Sequence, residues 1–427
     1  MSFMETRITE KCRSCGLEKL TPILSLGSLY VSNFVEGAID KDETPIPLEL
    51  LLCESNNGGC GLLQLRHTVS PKKMYRNYWY LSGTSTTMVK ALADITSAVE
   101  KIINFSPGDI AVDIGSNDGT LLHSYKTEGL RKIGFEPSVN LARLGERGGC
   151  KIFNDFFNAK TFKKRFPAEQ AKIITAIAMF YDLDDPNFFV KDISDVLHPE
   201  GLFIVQMAYL PTMLSQNAFD NICHEHLEYY SLSSMLPLLS RHGLEVFDVE
   251  LNDINGGSFR IYIRHKGSTV GKEDKAAEKR VADLLSQEKK LGLDDKKIYE
   301  EFAERVMGLK KKLREFIKSE TAAGKKVYVY GASTKGNTLL QFFELDPSFL
   351  PKACDKNSAK WGTKTIGTNI PIVSKEEARQ DKPDYFLMLP WHFLKEMVEE
   401  EREYLNSGGK FIVPLPEFKI VGKEALS

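Results

Sequence analysis

Apolar strands alternate with amphipathic helices along most of the chain. Residues 84–103 (TSTTMVKALADITSAVEKII) carry apolar side chains at helical spacing, and this predicted helix stops before Pro107. DIAVDIGSNDGTLLHSY then predicts a strand, a glycine turn and a helix, and further strands are predicted at KIGFEP, CKIFN, IITAIAMF and LFIVQM. EVFDVELND and GGSFRIYIRH predict a late hairpin in the same sheet. The pattern is typical of an α/β fold with a doubly wound, mostly parallel sheet.

Three further regions flank this sheet. Residues 1–75 are short apolar pieces broken by Gly, Pro and Asn, which predict short strands with little core of their own. Residues 268–320 are highly charged with a helical period, which favours a solvated helical connector over a partner-binding coiled coil. Residues 321–427 repeat the strand, glycine turn and helix in KKVYVYGASTKGNTLLQFF. We therefore predict a head at 1–75, a central α/β domain at 76–267, the connector, and a second Rossmann-like domain at 321–427.

The cysteines are concentrated in the head, where four of the seven precede residue 61. Cys12 and Cys15 form a C-x2-C pair, and Cys53 and Cys60 follow with a flexible Asn-Gly-Gly loop between them. Four thiolates suit a tetrahedral, structural Zn²⁺, because they leave no open position for catalysis. The alternative is four buried free thiols. The remaining cysteines have no part in this site: Cys150, Cys223 and Cys354.

Composition narrows the class of protein. The 427 residues are 42% hydrophobic and 27% charged, with 56 Lys and Arg against 58 Asp and Glu. A net charge of −2 argues against a nucleic-acid partner, which would require a clustered basic surface. No apolar run approaches the roughly 20 residues that span a bilayer, and the first residues lack a signal-peptide pattern. We expect a multidomain cytoplasmic protein with no membrane partner and with reduced thiols.

The first glycine loop, VDIGSNDG, predicts a cofactor site. Glu136 ends the next strand, where an acid can accept hydrogen bonds from a ribose diol. Asp118 lies where a dinucleotide's pyrophosphate would rest, so the acidic loop favours the cationic cofactor S-adenosylmethionine over a dinucleotide. The alternative is a glycine turn required only for packing. The predicted cofactor-binding residues are Asp113, Gly115, Asn117, Asp118, Gly119, Glu136, Asn154, Asp155 and Ser85.

A histidine cluster, CHEHLEYYS, predicts proton-transfer chemistry. Histidine exchanges protons near neutral pH, and an adjacent carboxylate can fix its tautomer. His226 is the predicted base, with Glu225 and His224 as orienting or proton-relaying neighbours. There are two alternatives: His224 and His226 ligate a metal, or they are surface histidines without a catalytic role.

The second glycine loop predicts a phosphate site. Lys335 lies at a helix start, where phosphate is favoured, and Asp355 follows the next strand, so a nucleoside diphosphate would satisfy both. Asn337, Trp391 and His392 complete the predicted substrate-binding set. A dinucleotide site or a purely structural domain are the alternatives.

Taken together, these motifs resemble the sugar C-methyltransferases of deoxysugar biosynthesis. The resemblance covers roughly residues 10–420 and rests on the cysteine head, YWYLSGTSTTM, VDIGSNDG, HEHLEYYS, GGSFR, YGASTKGNTLL, CDKNSAKWG and PWHF. It implies a zinc-binding head, a class I methyltransferase domain that binds S-adenosylmethionine, and a carboxy-terminal Rossmann-like domain that binds a nucleotide sugar.

The resemblance also implies a mechanism. A base removes the proton next to the ketone of the sugar, and the enolate carbon attacks the sulfonium methyl group in line. Tyr78 and Tyr80 could close over this site. Three positions depart from the family pattern. Cys223 stands where the family has a Tyr, and Asp182 stands where it has a His. Asn255 stands where the family has the His that precedes Gly-Gly-Ser.

These departures leave alternatives open. A sugar O-methyltransferase would require only the His226 base. An NAD-dependent sugar oxidoreductase or epimerase would use the second glycine loop, and a zinc-headed sensor would bind the adenosyl ligand without turnover. We expect a monomer or weak homo-oligomer.

Overall fold

The head consists of short antiparallel strands. The structure is a computed structural model, and it describes residues 6–37, 43–75, 78 and 80–426. The elements up to residue 75 are β1 (Thr6–Ile8), β2 (Thr21–Leu29), β3 (Phe34–Val35), β4 (Ile46–Leu52), β5 (Leu63–Leu65), β6 (His67–Val69) and α1 (Pro71–Met74). β4 pairs with both β2 and β5, and it buries Ile46, Leu48 and Leu50 at alternate positions. This period of two is typical of a strand with one face in a core.

The central domain is built on a seven-stranded sheet. Its elements are α2 (Thr86–Ile102), β7 (Ile110–Ile114), α3 (Thr120–Ser124), β8 (Arg131–Phe135), α4 (Val139–Gly145), β9 (Lys151–Phe153), α5 (Ala159–Arg165), β10 (Ala171–Ile177), α6 (Pro186–Val196), β11 (Leu197–Ala208), α7 (Leu210–Ser215), β12 (Glu228–Tyr229), α8 (Leu232–Arg241), β13 (Leu244–Asn252) and β14 (Ser258–His265). The strand order is β13-β14-β11-β10-β7-β8-β9. β14 is antiparallel to both neighbours, which confirms the predicted hairpin. The order reverses at β7, and such a switch point opens a crevice at the carboxyl ends of the strands.

The carboxy-terminal domain repeats this plan. Its elements, with the two helices that precede it, are α9 (Lys275–Leu291), α10 (Lys297–Ala322), β15 (Val327–Tyr330), α11 (Thr334–Phe342), β16 (Ala353–Cys354), β17 (Lys364–Thr365), β18 (Ile372–Val373), α12 (Lys375–Gln380), β19 (Tyr385–Met388), α13 (Leu394–Glu400), α14 (Arg402–Asn406), β20 (Lys410–Val413) and β21 (Lys419–Val421). The strand order is β18-β16-β15-β19-β20-β21, with only β21 antiparallel. Here the order reverses at β15, directly before the second glycine loop.

The connector is more deeply buried than its charge predicts. α10 buries side chains that lie three or four residues apart on one face: Tyr299, Phe302, Val306, Leu309, Leu313 and Ile317. These side chains belong to an apolar core shared with the head sheet and the carboxy-terminal sheet. Among the described residues, no helix combines the length and the apolar character needed to cross a membrane.

The head contacts both α/β domains. β3 pairs with β17 of the carboxy-terminal domain, whereas β5 pairs with β12 of the central domain. β12 lies within the predicted histidine cluster and begins two residues after His226. The head sheet therefore fixes the segment that carries the histidines in the cleft between the two domains.

Candidate active site

Four cysteine sulfurs converge in the head. The Sγ atoms of Cys12, Cys15, Cys53 and Cys60 all lie within 4.8 Å of one another. The Cys12–Cys60 pair is 3.6 Å apart and the Cys15–Cys53 pair 3.5 Å. Zn–S bonds of about 2.3 Å in a tetrahedron separate the sulfurs by about 3.8 Å, so these residues fit a structural zinc ion.

Glycine and backbone amides shape this zinc site. Backbone N–H groups of Cys15 and Cys60 point at the sulfurs of Cys12 and Cys53, over 3.5 and 3.4 Å. A Cβ atom at Gly59 would lie 2.6 Å from the Cys53 sulfur, so this position accepts only glycine. The loop between Cys53 and Cys60 therefore closes because its tightest point has no side chain.

The central domain holds the zinc site in place. Asn187, at the start of α6, donates through Nδ2 to the carbonyl oxygens of Arg13 and Ser14, over 2.9 and 2.7 Å. Arg241, the last residue of α8, donates to the Ser14 carbonyl over 2.7 Å. Arg13 itself is buried and donates to the Leu65 carbonyl over 2.6 Å. These residues, which the sequence analysis missed, connect the zinc site of the head to the central domain by hydrogen bonds.

The predicted cofactor residues meet at the carboxyl edge of the central sheet. The carboxylate of Glu136, at the end of β8, accepts a hydrogen bond from the Asn117 backbone N–H over 2.8 Å. Asp113 is the penultimate residue of β7 and accepts from the Thr175 hydroxyl over 2.6 Å. Gly115 has φ +69°, the left-handed conformation that favours glycine in a tight turn. Acids beside a glycine turn suit a cationic cofactor with a ribose diol, so this edge fits S-adenosylmethionine.

The other cofactor candidates are placed as follows. Asn154 and Asp155 follow β9, and Asn154 donates to the Glu136 carbonyl over 2.8 Å. Asp118 accepts from the Thr120 hydroxyl over 2.6 Å, so it anchors its own loop. Gly119 has φ +79° and precedes α3. Ser85 caps α2 by accepting from the Met88 N–H, which gives its hydroxyl a structural partner.

A strap, formed in the described structure by residues 75, 78 and 80–85, lies across this edge. Asn117 donates to the Tyr80 carbonyl and accepts from the Ser82 N–H, over 3.1 and 3.0 Å. Tyr78 exchanges two backbone hydrogen bonds with the Asn140 side chain, over 3.2 and 2.9 Å. The Tyr80 side chain remains 45% exposed. Tyr78, but not the Tyr80 ring, is thus brought to the interior of the site.

The two histidines of the cluster face different partners. The His226 Nδ1 atom lies 2.8 Å from the Asn221 carbonyl oxygen. A carbonyl only accepts, so in the neutral ring Nδ1 carries the proton and Nε2 carries the lone pair. His224 instead binds the Ile46 carbonyl of the head through Nε2, over 3.0 Å, and burial lowers its pKa to about 4. The structure therefore places His226 at the site and uses His224 to anchor the head.

Acidic groups and phenols gather beside the histidine segment. Asp182, after β10, and Glu225 each have a buried carboxyl oxygen without a hydrogen-bond partner in the described structure. Burial, followed by the charge of Glu225, raises the pKa of Asp182 well above its usual range, and burial also raises the pKa of Glu225. Burial and the same two acids raise the pKa of Tyr78. Cys223 is buried here too, and its raised pKa keeps it a thiol. The group offers neutral hydrogen-bond donors.

The carboxy-terminal domain reaches this site through a lysine and an aromatic turn. Lys335, in the first turn of α11, donates to the Asn221 side-chain oxygen over 2.6 Å. The Trp391 indole donates to the Asp220 carboxylate over 3.0 Å. Burial and then Lys335 lower the pKa of His392 to about 3. Lys335, Trp391 and His392 thus lie together in the cleft that contains His226.

The other two substrate candidates have internal partners. Asn337 donates to the Asn33 carbonyl of the head over 2.8 Å. Asp355 accepts from the Asn357 N–H over 2.8 Å and pairs with Lys360 at 3.3 Å. A Cβ atom at Gly331 would lie 2.8 Å from Pro390, so protein atoms fill the space that a dinucleotide would require at this glycine. This packing argues against a dinucleotide in the second glycine loop.

Three family models cover nearly the whole chain in order. A zinc-binding domain matches residues 12–75, a methyltransferase domain residues 88–249, and a C-methyltransferase C-terminal domain residues 253–416. The C-methyltransferase NovU of Streptomyces niveus is 31% identical over 422 residues, which are 98% of this chain and 98% of NovU.

Solved methyltransferase structures align with only part of the chain. A methyltransferase of Thermotoga maritima is 18% identical and covers 41% of this chain and 89% of its own, with a TM-score of 0.32. The magnesium protoporphyrin IX methyltransferase of Synechocystis is 10% identical and covers 42% and 78%, with a TM-score of 0.31. These scores are too low to bear on the reaction.

The fold class and the cofactors are thereby confirmed. The chain has a zinc-binding head, a class I methyltransferase domain for S-adenosylmethionine and a second, carboxy-terminal domain. The domain bounds, the roles of the site residues, the oligomeric state and the cytoplasmic location stay predictions.

Proposed function

The chain belongs to the family of S-adenosylmethionine-dependent C-methyltransferases, and from this membership we propose that its substrate is a nucleotide-linked ketosugar, methylated on carbon through an enolate. S-adenosylmethionine, when bound, supplies an electrophilic methyl group. An NAD-dependent oxidoreductase or epimerase, and a sensor without turnover, are set aside because the chain is a methyltransferase. O-methylation is disfavoured because the relative and the carboxy-terminal family model are both C-methyltransferases.

The observation that carries this proposal is the tautomer of His226. Its Nδ1–H is held by the Asn221 carbonyl, so Nε2 has a lone pair that can take a proton from carbon next to the ketone. The imidazole is neutral at physiological pH, because burial and then the Lys335 charge lower its pKa to about 3. The Tyr181 ring packs on it with the centroids 4.2 Å apart, which restricts its rotation.

The enolate oxygen requires hydrogen-bond donors. Burial, followed by the charge of Glu225, raises the pKa of Asp182 well above its usual range, and burial raises the pKa of Glu225. A neutral carboxyl group can donate to a developing oxyanion. Such donors contribute about 10²–10³-fold to a rate. Asp182 departs from the family pattern, yet its raised pKa removes the negative charge that would otherwise oppose an enolate.

The remaining residues bind and enclose the substrate. Lys335 supplies a positive charge for the diphosphate, and His392 and Trp391 line the cleft next to it. In this proposal Tyr78 of the strap closes over the site, where its half-buried ring excludes water from the enolate.

The test combines a labelled cofactor with nucleotide-linked ketosugars and hydroxysugars. We expect label in ketosugars only, on carbon, with loss of one carbon-bound hydrogen. Without cofactor, the enzyme should exchange that hydrogen in deuterium oxide, because proton removal precedes methyl transfer.

Two histidine variants provide the matched comparison. His226→Gln should lower kcat by about 10²–10⁴-fold and abolish the exchange. His224→Gln should retain the exchange, because His224 binds the head rather than the cleft. Exchange that persists in His226→Gln, or a methyl group attached to oxygen, would contradict the proposal.

A further inference from the structure

One residue links the two ends of the cleft. The Asn221 side chain accepts from the Lys335 ammonium group over 2.6 Å, and its backbone carbonyl accepts from His226 over 2.8 Å. Lys335 belongs to the carboxy-terminal domain and His226 to the central domain. The proposed phosphate-binding group and the proposed base are therefore two hydrogen bonds apart through Asn221.

Asn221 is held rigidly between the domains. It is buried, and its side-chain nitrogen donates to the Ala218 carbonyl over 3.0 Å. Phe219, two residues earlier, packs on Phe342 and Phe343 at the end of α11, with ring centroids 5.2 and 5.7 Å apart. Because Asn221 is held in this way, a displacement of Lys335 is transmitted to His226, and a displacement of His226 to Lys335.

We infer that Asn221 is a positioning residue through which phosphate binding at Lys335 acts on the His226 base. The inference rests on the proposed function, because it takes a nucleoside diphosphate as the anion. Phosphate oxygens compete with the Asn221 oxygen for the Lys335 ammonium group and neutralise its charge. The base then gains strength only when the nucleotide part of the substrate is bound.

The electrostatics around His226 support this coupling. Burial lowers its pKa most, and the Lys335 charge lowers it further. Glu228 lines the same small cavity as His226, but burial raises its pKa well above its usual range, so it offers little compensating charge. Tyr181 and Tyr229 line this cavity as well, and both phenols have raised pKa values.

Two further titratable groups, Asp220 and His392, interact electrostatically with Lys335. Asp220 is buried, which raises its pKa, although Lys335 opposes that rise. His392 is kept neutral by burial and by Lys335. An anion at Lys335 should therefore raise the pKa of His226.

The test follows His226 by NMR in the full-length zinc-loaded protein. The chain has 8 histidines, and His226→Gln identifies the signals of His226 by their absence. The ring ¹⁵N shifts report both the tautomer and the titration, with and without uridine diphosphate or thymidine diphosphate. Calorimetry measures binding of the same nucleotides independently.

We expect nucleotide binding to raise the pKa of His226 by about one unit or more, which is the size of effect a nearby charge produces. In Lys335→Met the pKa should already be raised by a similar amount and should not respond to nucleotide. Asn221→Ser shortens the acceptor while keeping the carbonyl, so it should weaken the response. Lys356→Met, which removes an exposed lysine paired with Glu400, is the control and should behave like the wild type.

The outcomes separate the two proposals. Nucleotide that binds without moving the pKa of His226 overturns the coupling but leaves the proposed substrate intact. If neither nucleotide binds, the proposed substrate fails, and the Lys335→Met titration in the free protein still tests the link. An unchanged pKa of His226 in Lys335→Met, or a full wild-type response to nucleotide in Asn221→Ser, would overturn the inference.

Discussion

Asp113 should lower the stability of the free protein as the pH rises. It is 4% exposed, and burial, with a further contribution from Glu136, raises its pKa to about 7, although the Thr175 hydroxyl opposes the rise. An unfolded Asp ionises near pH 3.9, so between about pH 4 and pH 7 the folded chain holds a proton that the unfolded chain has released. The free energy of unfolding therefore falls across that window and levels off above it. Three pH units correspond to about 4 kcal/mol.

Asp113→Asn removes this effect and keeps an acceptor for Thr175 over the same reach. The variant should be more stable than the wild type by up to about 4 kcal/mol at pH 8, and by less than about 1 kcal/mol at pH 4.5. Urea unfolding and calorimetric Tm values at both pH values measure the difference.

Cofactor binding gives a second measurement on the same residue. A sulfonium cation favours ionised Asp113, so the affinity of the wild type for S-adenosylmethionine should rise with pH through about 7. Asp113→Asn should lose that pH dependence. Asp192→Asn is the matched control, because Asp192 is another buried acid, bonded to the Ala159 N–H over 2.9 Å at the start of α5. The reasoning is refuted if the stability difference between Asp113→Asn and wild type is the same at pH 4.5 and pH 8.

Substitutions at three other positions test the zinc site, a helix and the proposed oxyanion donors. Gly59→Ala places a Cβ atom 2.6 Å from the Cys53 sulfur, and overpacking of about 1–3 kcal/mol should weaken zinc binding by about 5- to 150-fold in a chelator competition. Gly308→Ala, an exposed mid-helix position in α10 with open space around it, should leave zinc affinity unchanged and raise stability by up to about 1 kcal/mol in urea. Asp182→Asn keeps a neutral donor and should retain most of the wild-type kcat, whereas Asp182→Ala should lose about 10²–10³-fold. Equal kcat losses in the two Asp182 variants would count against a neutral carboxyl donor.

The sequence by itself determined the order of the elements, the two glycine loops and the zinc ligands. Each of these depends on local chemistry: apolar periodicity, the conformational freedom of Gly115 and the thiolates of Cys12 and Cys15. Local patterns also identified the late hairpin, because its apolar residues alternate with a period of two. The charge of the connector concealed the apolar stripe of α10, whose burial depends on neighbours supplied by distant parts of the chain.

The tertiary structure decided which contacts each residue of the site makes and how its pKa is shifted. His224 and His226 are alike in sequence, yet one binds a head carbonyl and the other faces the cleft. The chain turns between them, where the His226 N–H donates to the Cys223 carbonyl over 3.1 Å. Asn221 meets Lys335 across 114 positions of sequence, a contact that no local pattern encodes. Burial, rather than residue type, gives Asp182 and Glu225 raised pKa values, because desolvation depends on what packs around a group in the folded chain.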